Sequence, residues 1–68
     1  MTTRARNTDL NSAWSVGRNA RIRGLEIHDA NVELARRLGW KTRADFDNDL
    51  LDECERGWNH EDSLRFRN

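Results

Sequence analysis

Apolar positions recur every three or four residues over most of this chain, and nowhere alternate in strand fashion for any length. Leu10, Ala13, Trp14, Gly17, Ala20, Arg21 and Gly24 form the first such stripe, which predicts a helix from Thr8 or Asp9 to about Gly24. Most of that stripe is small. Glycine inside a helix costs about 1 kcal/mol against alanine. Two glycines on one face, Gly17 and Gly24, therefore imply close approach of another helix or of a partner's backbone.

After a connection at 25–29, Asp29 or Asn31 can cap a short second helix over 30–38. Val32, Ala35 and Leu38 are its expected inward residues, and Gly39 its left-handed stop. Thr42 with Asp45 three residues on resembles a capping box and predicts the start of a third helix. Phe46, Leu50, Cys54 and Trp58 follow at strict four-residue spacing, and the helix is expected to fade between Trp58 and Glu61. The fold class that follows is all-α: two longer helices with a short one between, the long pair antiparallel or crossed. Residues 1–7 are expected as a flexible basic arm, 8–62 as the single helical domain and 63–68 as a short tail. The expected core is Trp14, Ala20, Leu38, Phe46, Leu50, Cys54 and Trp58.

Composition narrows this further. Apolar residues make up 35% of the 68 and charged residues another 35%, against roughly 45–50% (glycine included) and 25% in ordinary globular domains. The core must be thin, and a homodimer or a docked partner would relieve the shortage. The single cysteine, Cys54, cannot staple its own chain. No stretch is apolar enough for a membrane helix, and no h-region follows the basic start. A cytoplasmic protein without membrane contact is expected.

The net charge of zero conceals segregation. Residues 1–25 hold five arginines against Asp9 alone, whereas residues 42–62 hold eight acids against Arg43 and Arg56. Arg4, Arg6, Arg18, Arg21 and Arg23, with Trp14 alongside, are candidates to hold a nucleic-acid backbone, because the guanidinium fork donates in pairs to phosphate. The same arginines can instead pair with the acids of the third helix. Asp45, Asp49, Asp52, Glu53 and Glu55 are candidates to meet a basic protein partner.

No catalytic residue, cofactor, metal ligand set or small-molecule substrate is expected. His28 and His60 read as surface side chains, and Cys54 as a small hydrophobe. Residues 34–58 have a helix-turn-helix rhythm, yet six acids on the would-be recognition helix exclude the major groove.

Ala13, Gly17, Ala20, Arg21 and Gly24, then Asn31, then Gly57-Trp58, resemble the ribosome modulation factor family over about half the chain. The connection departs from the family pattern, with Val32-Glu33 where the family has proline and an aromatic, and with an added helix. The resemblance implies a small helical protein that docks on ribosomal RNA and quiets translation. Arg4, Arg6, Arg18, Arg21 and Arg23 would then hold phosphates, and Trp14 or Trp58 would stack or pack. The other reading is a small helical inhibitor or adaptor, of the kind phages and mobile elements encode. It would bind a larger protein complex through its acidic third helix.

Overall fold

The computed structural model describes the backbone of residues 3–66 and the side chains of residues 8–65. Three helices follow in order: α1 (Thr3–Ile22), α2 (Ile27–Leu38) and α3 (Asn48–Phe66), with one 3-10 turn at Arg43–Asp45. The all-α class is thus as the hydrophobic pattern predicts, with α2 the short element.

Both interior helix stops are built the same way. Gly24 (φ 83°) and Gly39 (φ 74°) take the left-handed conformation. The Gly24 N–H donates to Arg21 O at 3.0 Å and the Leu25 N–H to Ala20 O at 2.9 Å. The Gly39 N–H donates to Arg36 O at 3.3 Å and the Trp40 N–H to Ala35 O at 2.9 Å. This paired arrangement closes the last carbonyls of each helix. Gly24 is therefore a stop and not a point of close approach.

Helix starts differ from the pattern. α1 opens at Thr3, ahead of Thr8. α2 opens at Ile27, where the Glu26 N–H donates to Asp29 Oδ2 at 3.2 Å. Asp45 Oδ2 does accept from the Lys41 N–H (2.7 Å) and the Thr42 N–H (3.1 Å), but that cap opens only the 3-10 turn. Phe46 is then extended. Asp47 supplies the cap of α3, its Oδ1 accepting from the Asp49 N–H at 3.0 Å. α3 runs on through the expected fade to Phe66.

α1 and α3 are parallel, not antiparallel. Arg18 meets Glu61 and Arg21 meets Asp62, at sequence separations of 43 and 41, so partner numbers climb together. α2 returns between them, with Trp58 near Leu25 at one end and Leu51 near Ala35 at the other.

The crossing of α1 and α3 is made at two glycines. A Cβ on Gly17 would collide with the Cys54 carbonyl, its carbon at 2.8 Å, with Trp58 N at 3.0 Å. A Cβ on Gly57 would collide with the Trp14 carbonyl, its carbon at 2.9 Å, with Arg18 N at 3.1 Å. Each helix thus seats its backbone on the other's.

The core around this crossing is Ala13, Val16, Ala20, Ala30, Leu34, Leu50 and Cys54. Trp14, Leu38 and Trp58 are half-buried at its edge. Phe46 is a correction: it is 49% exposed. Strict four-residue spacing winds about 40° around a helix at each step, so it cannot hold one face. The buried line on α3 is instead Leu50, Cys54, Gly57 and Glu61. A similar shift occurs on α2, where Ala30 and Leu34 are buried and Val32 is 40% exposed.

Candidate functional site

The basic flank of α1 is where the sequence places nucleic-acid contacts. Three of its arginines are engaged within the molecule. Arg18 Nε donates to Glu61 Oε1 at 3.3 Å, Arg21 Nε to Asp62 Oδ1 at 2.8 Å and Arg23 Nη1 to Glu33 Oε2 at 3.0 Å. Two of these partners are acids of α3, as the pairing alternative expects, but they sit in its last turns. The third lies on α2.

Glu61 is 8% exposed and takes a second guanidinium, Arg65 Nη2, at 3.2 Å. A carboxylate this sheltered needs such partners, since burying it unpaired is costly. Arg21 also lies over the Trp58 ring, 5.5 Å from its centroid, in cation–π contact. The Trp58 indole N–H donates to Leu25 O at 2.8 Å, which fixes the ring. Trp14 lies against His60, with ring centroids 5.3 Å apart. Both histidines are exposed. Arg4 and Arg6 fall outside the residues whose side chains are described.

The acidic candidates do not form one cluster. Asp45 is tied into the turn by two backbone N–H groups, Lys41 first and Thr42 second, and these hold its carboxyl below the ordinary value. Asp49, Asp52 and Glu53 share a shallow hollow with Leu10 and Arg56. Glu53 approaches Arg56 at 3.9 Å. Asp52 and Glu55 are exposed and have no ion-pair partner among the described residues.

Cys54 sits at the helix crossing with no exposed surface. Burial, followed by the charges of Glu55 and Glu33, pushes its thiol from 9.0 up to about 11. The neutral thiol is favoured in the folded state. Its contribution to stability is whole below pH 9.0 and is lost as pH rises towards 11. Urea midpoints should therefore fall across that alkaline range, and Cys54→Ala should lack the cysteine's share of the slope.

Sequence reasoning passed over a second set of cations. Arg36, Arg37, Lys41 and Arg43 are exposed around Gly39 and make no ion pair among the described residues. Their crowding into eight positions is the signal that could have found them. Among the described residues no group of His, Cys, Asp and Glu is placed to hold a metal ion. No helix is long and apolar enough to cross a membrane. No family model, curated protein or solved structure matches the chain.

Proposed function

We propose that this is a small non-enzymatic docking protein, similar to the ribosome modulation factor family, that binds ribosomal RNA through α1 and modulates translation in the cytoplasm. One observation carries the reading. The residues that make the resemblance meet in space as a single unit. Gly17 and Gly57 cross, Ala13 and Ala20 are buried beside them, Gly24 ends α1, and Trp58 is tied to Leu25. Arg18, Arg21 and Arg23 project along the rim of that unit. Their carboxylate partners do not exhaust them, because a guanidinium has five N–H donors. The side chains of Arg18 and Arg23 remain 46% and 58% exposed.

The test is Arg18→Gln with Arg21→Gln. Glutamine keeps helix propensity and sets no like charge against Glu61 and Asp62, as glutamate would. Filter binding to ribosomal RNA should weaken about tenfold or more. The slope of log affinity against log salt should shrink by about 1.5. Unchanged binding and slope in a folded variant would refute the proposal.

The exposed and unpaired carboxylates of Asp52 and Glu55 favour a second reading, an adaptor or inhibitor that offers α3 to a basic protein. Asp49→Lys with Asp52→Lys would then abolish capture from nuclease-treated lysate, while the arginine variant would be tolerated.

A further inference from the structure

We infer that the open groove between α2 and α3 docks an acidic, amphipathic segment of a protein partner and seats one of its apolar side chains. The groove has a volume of about 330 Å³ and is walled by Asn31, Val32, Ala35, Trp40, Phe46 and Leu51. These include residues the hydrophobic pattern wants inside, and they stay half open. Val32 and Phe46 are the most exposed of them.

The site is already formed. The Trp40 backbone N–H is fixed on Ala35 O. The Trp40 and Phe46 rings stand 5.3 Å apart between centroids. Such a preset apolar hollow is what an anchor side chain requires. Asn31 adds a second, independent sign. Its Oδ1 is buried and has no hydrogen-bond partner among the described residues. Buried acceptors are rarely left this way, and an incoming N–H would satisfy it.

Charge identifies the occupant. Arg36 follows Ala35 in α2, and Lys41 and Arg43 lie in the turn that carries Trp40 and Phe46. All three are exposed and have no ion-pair partner among the described residues. The acids of the same turn are committed to backbone amides: Asp45 to those of Lys41 and Thr42, Asp47 to that of Asp49. The complement of such a rim is a segment with carboxylates around an apolar anchor.

A second copy joined face to face would set these cations against themselves. A nucleic-acid strand fits less well, because the walls are mostly apolar and Glu55 is exposed one helical turn beyond Leu51. This surface is distinct from the α1 arginines, and the inference stands whether or not RNA binds there.

The test is a selection on the full chain with a phage library of random peptides about 12 residues long, or three helical turns. Enriched peptides are expected to carry Trp, Phe or Leu among Asp and Glu. Their affinity should fall about tenfold or more for Val32→Glu and for Arg43→Glu. Both positions are exposed, and circular dichroism confirms that each variant folds. Basic or uncharged winners, no enrichment, or affinity that survives Val32→Glu would overturn the inference. So would a dimer in light scattering that Val32→Glu dissolves, which gives the groove to a second copy. Displacement of the peptide by oligouridylate would give it to RNA and overturn it equally.

Discussion

Gly17→Ala should unfold the domain or remove about 3 kcal/mol or more of its stability. Overpacking a core usually costs about 1–3 kcal/mol, because side chains can rotate away. Here the added methyl would meet the Cys54 carbonyl and the Trp58 amide, which are backbone. α3 would have to leave α1, and Ala13, Ala20 and Cys54 would lose their cover. Gly57→Ala should act alike from the other side, against the Trp14 carbonyl. Gly24→Ala supplies the contrast. Its φ is 83° and nothing lies within 4 Å of the added methyl, so only the left-handed strain of about 1–2 kcal/mol applies. Urea denaturation followed by far-UV circular dichroism ranks the three. Gly17→Ala no worse than Gly24→Ala would dismiss the backbone-to-backbone crossing.

Leu34→Ala should cost about 2–5 kcal/mol. In a chain of 68 residues, total stability is roughly 3–10 kcal/mol. One methyl-rich side chain therefore decides whether most molecules are folded. The reason lies in how few large groups are enclosed. Leu34 and Cys54 are the largest side chains buried completely, and alanines fill much of the rest of the core. No neighbour is big enough to fall into the gap. A calorimetric midpoint should drop by about 10 °C or more, since each kcal/mol shifts a domain of this size by about 4–8 °C. A drop of a degree or two would mean that α2 contributes little to the fold.

The number and order of the helices were legible because local chemistry decides them. Gly39 announces the end of α2, and small residues along α1 announce a close neighbour. The rest depended on information no short window holds. Two capping signals stand in tandem before α3, Thr42 with Asp45 and then Asp47, and propensity does not say which opens the helix. Choosing the earlier one places Phe46 inside. Starting α2 at Asn31's neighbourhood instead of Ile27 likewise turns Val32 inward. The acid run at 45–55 draws attention as the partner of the α1 arginines, yet the parallel arrangement brings Glu61, Asp62 and Glu33 to them. The candidate site was therefore half legible: its charged residues were nameable, but their pairing was not. The groove was invisible, since it is made of side chains that the pattern assigns to the interior.

The pairing of the first helix with the last has a cost during synthesis. Ribosomes release the chain from its beginning, and the contacts that close the fold join residues about forty positions apart. A nascent product lacking Gly57 has nothing for Gly17 to rest on, and no two consecutive helices contain both. Folding must wait for completion, and prematurely terminated polypeptides should be cleared by proteases as unstructured chains.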